Sequence, residues 1–276
     1  MNRLIDGATG LGINDKIIQG YQFIMQNFTA LDNIYLFGFS RGAYTARYIA
    51  DFIAHMGLLK LIGSETATQQ FQRVNNYFNQ YKQLRNSNTL TIDTNIAVEC
   101  KIQIIGVWDT VGELGIPLSF FNDLDKKLYE FRDNILHNNV LSGYQALAID
   151  EKRADFQPCL WSPRDGVEQI WFAGSHCDIG GGYITCGLSD ITLEWMVNIL
   201  LQQQNVLIDE LKLKSIKPDS IATLHNSSGA FPFDILPTKS RAIPEGSLIK
   251  NSVKVRIEDS SLNYNPDNLP SDLSWV

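Results

Sequence analysis

Long apolar runs, paired cysteines and clusters of basic residues are all scarce in this 276-residue sequence. No run approaches the ~18 apolar residues of a membrane-spanning helix, and the amino-terminal residues lack the apolar core of a signal peptide. We therefore expect a soluble protein that is made in the cytoplasm, with any export following a route independent of a signal peptide. The four cysteines form no Cys-x-x-Cys pair, which is typical of a reducing compartment.

The charge balance excludes one class of partner. The chain carries 30 acidic and 23 basic residues, a net charge of −7, and its lysines and arginines are spread along the sequence. Nucleic-acid binding needs a concentrated basic surface that neutralises a row of phosphates, so we predict no nucleic-acid partner.

The length and the 44% hydrophobic content suit one α/β domain over residues 1–276. Apolar periodicity predicts helices over residues 14–28, 43–59, 66–85 and 191–201. Apolar runs typical of buried parallel strands cover residues 33–37, 102–108 and 167–172. This alternation predicts a mostly parallel sheet flanked by helices. Cap insertions are expected around residues 60–95 and 115–145, followed by a loop-rich tail over 220–276 with a short strand at 252–257.

A sharp turn is predicted between the strand at 33–37 and the helix at 43–59. It carries Gly38-Phe39-Ser40-Arg41-Gly42, the G-x-S-x-G pattern of a nucleophile elbow, in the strand–turn–helix context that the pattern requires. The turn exposes Ser40 and aims the amino end of the helix at it, so the Arg41 N–H can stabilise an oxyanion. Ser40 is therefore the candidate nucleophile, and Gly38, Arg41 and Gly42 are the candidate elbow and oxyanion residues.

A serine hydroxyl needs a base, and the usual base is a histidine that a carboxylate orients. His176 is the candidate base because it follows the strand at 167–172 in a glycine-rich loop. Asp109 is the favoured acid, since it ends the strand at 102–108 and gives the chain order Ser, Asp, His of α/β-hydrolases. Asp178 and Asp190 remain alternative candidates for the acid. If they are not the acid, Asp178 holds the glycine loop and Asp190 caps a helix.

Neither a metal nor a cofactor is predicted at this site. His176, Cys177 and Cys186 lack a second ligand pair at the spacing that zinc sites use. The run at residues 180–182 lacks the Gly-Lys-Ser/Thr ending of a phosphate loop. Acyl transfer through serine, histidine and aspartate needs no cofactor.

Four stretches together resemble one family. They are YLFGFSRGAYTAR at 35–47, GVWDTVG at 106–112, ALAIDEKR at 146–153 with Phe156, and WFAGSHCDIGGGY at 171–183 with Leu188-Ser189-Asp190. They are similar to an uncharacterised α/β-hydrolase domain family related to the catalytic domain of type VI secretion phospholipase effectors. The resemblance implies hydrolysis of carboxylic esters, phospholipids above all, with the triad on Ser40, Asp109 and His176.

The resemblance also implies a secretion-apparatus or immunity protein as partner, and peripheral membrane contact is expected if the chain carries a lipid-facing cap. Phe120-Phe121 and the helix at 66–85 are either a lipid-facing cap or ordinary core and surface elements. In the family Arg41 and Arg47 flank the nucleophile, where they either anchor the elbow helix or contact a phosphate head group.

Family members usually carry a strand and an Asp-Gly-Thr loop well before the elbow, which supply a second oxyanion donor. Only 39 residues precede Ser40 here, so we expect a fold that lacks the amino-terminal strands. Losing one oxyanion donor typically costs ~10²–10³ in rate. Two hypotheses follow: a serine esterase of the lipase or phospholipase type, and a truncated or inactive hydrolase that acts as an interaction or structural module.

Overall fold

The computed structural model describes residues 12–84, 91–111, 134–203, 206–229 and 237–276. The helices in these ranges are α1 (Ile13–Asn27), α2 (Arg41–Met56), α3 (Ala67–Leu84), α4 (His176–Gly180), α5 (Gly187–Leu201), α6 (Glu210–Leu213) and α7 (Asn251–Glu258). The strands are β1 (Ile34–Phe39), β2 (Leu58–Leu59), β3 (Ala97–Val98), β4 (Ile102–Trp108), β5 (Val140–Ala148), β6 (Val167–Phe172), β7 (Ser247–Ile249) and β8 (Leu273–Trp275).

Six of these strands form a mostly parallel sheet flanked by helices, in the order β1-β4-β5-β6-β7-β8. β6, β7 and β8 run parallel, with Ile170 opposite Leu248 and Leu248 opposite Ser274. β2 and β3 form a separate antiparallel pair. The predicted α/β fold class is confirmed, and so are all the helices and strands predicted before residue 220, with bounds that shift by at most four residues.

The chain divides into two compact units. The first comprises Met1–Gly106, Gly112–Gly143 and Trp161–Val167. The second comprises Val107–Val111, Tyr144–Leu160 and Glu168–Val276. The assignment of the whole chain to one hydrolase-like domain with cap insertions stays a prediction. Phe120-Phe121, one half of the predicted lipid-facing surface, lies outside the described residues.

An aromatic cluster forms the core of the first unit. Phe52 of α2 stacks on Tyr21 of α1 with ring centroids 4.4 Å apart, and it packs against Phe78 and Tyr81 of α3. All four rings are fully buried, and each such aromatic pair is worth ~0.5–1.5 kcal/mol beyond its area burial. The apolar face of α3 is therefore used inside the unit rather than presented to lipid, which favours the ordinary-core interpretation of this helix.

The strand predicted at residues 252–257 is wrong, because these residues lie in helix α7. The alternation of Val253 and Val255 resembles a half-buried strand in the sequence. In the structure Val253 and Arg256, three positions apart, are buried, whereas Val255 is half-exposed. Burial of one helical face thus overrides the period-two pattern.

No helix within the described ranges is long and apolar enough to cross a membrane.

Candidate active site

The predicted elbow is present where β1 passes into α2. Ser40 stands between the last residue of β1 and the first residue of α2, with a φ of 56° and a ψ of −120°. Positive φ is uncommon for residues other than glycine and costs ~1–3 kcal/mol, which surrounding structure must offset. Only Ser40, Asp109 and Asn263 have it among the non-glycine residues that the structure describes. Two of these three strained residues are therefore the predicted nucleophile and the predicted acid.

Gly38 and Gly42 have different roles in the elbow. A Cβ atom added to Gly38 would lie 2.2 Å from the carbonyl oxygen of Gly42, well inside van der Waals contact with rigid backbone. A Cβ atom on Gly42 would meet no described atom within 4 Å. Close approach of strand and helix thus requires glycine at position 38 and does not require it at position 42.

Replacing Gly38 with Ala should lower the free energy of unfolding by ~1–3 kcal/mol, the usual cost of forcing extra atoms into a packed site. Gly42→Ala is the matched control and should stay within ~1 kcal/mol of the wild type, since helical positions tolerate alanine well. Urea denaturation of the two variants checks this. Equal stability of the two variants would contradict the crowding argument.

The predicted acid and base meet in the second unit. His176 Nδ1 lies 2.6 Å from Asp109 Oδ2, and the two side chains are almost completely buried. The Ala148 N–H donates to Asp109 Oδ1 over 3.0 Å. Burial by itself raises the pKa of Asp109, but the charge of Arg241 and the hydrogen bond from His176 outweigh it and hold the pKa well below its usual range. The carboxylate is therefore ionised and can only accept, so Nδ1 donates to it and Nε2 is the ring nitrogen that can act as a base.

Arg241 is a residue of this site that sequence reasoning missed. Its Nη1 and Nη2 donate to the two carboxylate oxygens of Asp109 over 2.5 and 2.9 Å, and its side chain is fully buried. The same two nitrogens also donate to the carbonyl oxygens of Ala148 and Phe156. This bidentate pair fixes the orientation of the carboxylate that faces His176.

His176 is the first residue of helix α4 and not a loop residue as predicted. The turn that precedes it is held by the stretch at residues 150–156. The Gly174 N–H donates to Asp150 over 2.7 Å, and the His176 N–H donates to Glu151 over 3.2 Å. The Phe156 ring packs edge-on against the imidazole with centroids 5.2 Å apart. These contacts give the ALAIDEKR stretch a physical role: it positions the histidine.

Comparison with known proteins identifies the family. Residues 1–199 match the family of Tle1-like phospholipase effector catalytic domains of the type VI secretion system (T6SS). The chain belongs to this family. The predicted relation to the catalytic domain of type VI secretion phospholipase effectors is confirmed.

This chain matches only part of each of three similar proteins. The uncharacterized protein YEL023C of Saccharomyces cerevisiae is 27% identical over 186 residues, which cover 64% of this chain and 26% of that protein. The Tle1 effector bound to the VgrG spike of the type 6 secretion system is 23% identical, with a TM-score of 0.39 over 63% of this chain and 31% of that one. An uncharacterized protein from Pseudomonas aeruginosa is 18% identical, with a TM-score of 0.41 over 75% and 30%. The chain spans between a quarter and a third of the length of these proteins.

The two alternative acids of the Tle1-like domain have other partners. Asp178 forms a capping box with Ser175 at the start of α4 and lies 2.6 Å from His225 Nδ1. Asp190 accepts from the Lys217 N–H over 2.8 Å. Asp178 thus holds the glycine-rich segment, as its alternative interpretation predicted. The helix-capping role predicted for Asp190 is wrong, because α5 begins at Gly187 with Cys186 as its N-cap, and Asp190 instead joins α5 to the segment around Lys217.

Arg47 of the Tle1-like domain is buried, and its guanidinium lies 4.7 Å from the centre of the Trp161 ring. A cation–π contact of this kind favours the anchoring role over contact with a phosphate head group. Arg41 begins α2, so its backbone N–H lies at a helix amino terminus, where an anion is favoured.

Proposed function

We propose that this Tle1-like domain is a serine esterase of the lipase or phospholipase type, with Ser40, His176 and Asp109 as nucleophile, base and acid. The observation that carries the proposal is the buried 2.6 Å hydrogen bond between His176 and Asp109. A buried acid–base pair with a fixed tautomer is the part of a serine hydrolase that ordinary packing does not require. The strained φ of Ser40 at a strand–helix turn supports the assignment of the nucleophile.

The mechanism follows from these groups. His176 Nε2 takes the proton of the Ser40 hydroxyl while the Ser40 oxygen attacks the acyl carbon of the ester. The tetrahedral oxyanion is stabilised by the Arg41 N–H and the positive end of the α2 dipole. His176 then gives the proton to the leaving alcohol, and water hydrolyses the acyl-enzyme by the same steps in reverse. Asp109 stays ionised throughout and stabilises the imidazolium.

Phospholipids are the proposed substrate class because the family is one of phospholipase effector domains. Membership of a secretion-effector family also makes a component of the secretion apparatus a proposed partner. Both assignments concern whole proteins of the family, because this chain spans only 26–31% of the length of the relatives compared above.

Labelling with a fluorophosphonate tests the nucleophile directly. The purified chain should gain one phosphonyl group, and peptide mass spectrometry should locate it on Ser40. Hydrolysis of p-nitrophenyl butyrate and release of fatty acid from mixed phospholipid vesicles should both occur and should both vanish in Ser40→Ala. Cleavage of the short ester without the vesicle would support an esterase and oppose a phospholipase. No label and equal background from both proteins would favour the inactive-module hypothesis.

A further inference from the structure

Two histidines of the first unit converge on one carboxylate. Asp51 and His55 lie one turn apart near the end of α2, and His137 precedes β5. His137 Nε2 lies 2.8 Å and His55 Nδ1 lies 3.4 Å from the same oxygen, Asp51 Oδ1. The His55 and His137 rings stand edge-on with centroids 4.4 Å apart. Each residue is partly exposed, so the group is accessible from solvent.

The spacing of the three groups matches a metal-ion site. One nitrogen or oxygen from each residue lies within 4.8 Å of the others. Ligands held at 2.0–2.2 Å around a tetrahedral Zn²⁺ are about 3.3 Å apart. The 3.4 Å distance from His55 to Asp51 Oδ1 already fits this spacing, and the 2.8 Å distance from His137 would lengthen by about 0.5 Å. Residues four apart on a helix present their side chains to the same side, which is how Asp51 and His55 come together.

A hydrogen bond from Tyr81 orients the Asp51 carboxylate. Tyr81 donates its hydroxyl proton to the other oxygen, Asp51 Oδ2, and so fixes the carboxylate plane. An outer hydrogen bond to a ligand of this kind is typical of metal sites and adds to affinity.

We propose that Asp51, His55 and His137 bind a divalent transition-metal ion of the Zn²⁺ class, with water in the remaining positions. Two imidazoles and one carboxylate are a ligand set that zinc and neighbouring metals use. His137 would bind through Nε2 and His55 through Nδ1, and each ring would carry its proton on its other nitrogen. His55 Nδ1 now lies 2.9 Å from the backbone carbonyl oxygen of Asp51, so it would give up that hydrogen bond when the ion binds. The ion would tie the end of α2 to the segment before β5.

The competing explanation is that the two histidines only donate hydrogen bonds to Asp51, His137 to its carboxylate and His55 to its backbone carbonyl as well. Replacing His137 with Gln separates the two, because the Gln amide can still donate to Asp51 but is a poor ligand for zinc. His225→Gln is the matched control, since it removes a histidine of the second unit.

The test uses EDTA-stripped full chain, titrated with Zn²⁺ by calorimetry and with Co²⁺ by visible absorption. The wild type and His225→Gln should bind one equivalent with the same affinity within threefold. His137→Gln and His55→Ala should weaken binding by at least the 10–100-fold that even outer-shell changes cause at metal sites. The Co²⁺ spectrum should show d–d bands without a thiolate charge-transfer band.

Circular dichroism and a melting curve of the metal-free variants exclude loss of fold as the cause. The proposal is overturned by absence of Zn²⁺ binding to the wild type, by unchanged affinity in a folded His137→Gln protein, or by a thiolate band that places the ion on cysteine.

Discussion

Replacing Ser40 or His176 with Ala should each lower kcat for ester hydrolysis by ~10⁶-fold, down to the rate that binding and the oxyanion donor supply by themselves. A nucleophile without its base, or a base without its nucleophile, does no acyl transfer. The double variant should therefore be no slower than either single variant, because residues that act as one unit are strongly non-additive. Initial rates with p-nitrophenyl butyrate, measured at saturating substrate, check the three values.

A second relay in the chain supplies the control for this prediction. Thr185 Oγ1 lies 2.8 Å from His225 Nε2, and His225 Nδ1 lies 2.6 Å from Asp178 Oδ1. The order hydroxyl, imidazole, carboxylate is that of a serine-hydrolase triad, although its hydroxyl is a threonine. His225→Ala and Thr185→Ala should retain most of the activity. If these two variants lose activity and Ser40→Ala retains it, the active site is formed by Thr185, His225 and Asp178 instead.

Local sequence patterns predicted the parts of the fold and site that depend on local physics. Asp109 was expected from its position at the end of an apolar strand, and Ser40 from a pattern that fixes a strand–turn–helix. β5 was missed because its residues Gly143 and Gln145 interrupt the apolar run; Gln145 is buried and accepts from the Thr110 hydroxyl across 35 residues. β7 and β8 are three residues each, too short for any periodicity to show.

Pairs of charged groups that are far apart in the sequence could not be predicted in this way. Arg241 and Asp109 are separated by 132 residues, and the tail around Arg241 has the composition of a loop. His137 lay in a polar stretch with no sign of its contact with Asp51. Such contacts are set by tertiary packing, and a single sequence carries no periodic signal for them.

Replacing Arg241 with Met should lower the free energy of unfolding by ~3–5 kcal/mol at pH 7, because removal of one partner leaves the Asp109 charge buried without its main counter-ion. The methionine retains most of the side-chain volume, so the loss reports charge rather than a cavity. Lys254→Met is the control, since Lys254 and Glu258 form an exposed pair 4.0 Å apart whose loss should cost less than ~1 kcal/mol. Urea denaturation at pH 7 gives the three stabilities.

The pH dependence separates this electrostatic role from simple packing. The depressed pKa of Asp109 stabilises the wild type above the ordinary Asp value of about 3.9, and that contribution is lost as the pH falls further toward the folded pKa. Arg241→Met removes the charge that lowers the pKa of Asp109, while burial, which raises that pKa, stays. Asp109 of this variant can therefore be protonated at a higher pH, and protonation removes the unpaired buried charge. The stability difference between the two proteins should therefore narrow as the pH is lowered from 7 toward 4. A difference that stays constant over this range would mean that Arg241 acts through packing alone, and the ion pair would then have no part in keeping Asp109 ionised beside His176.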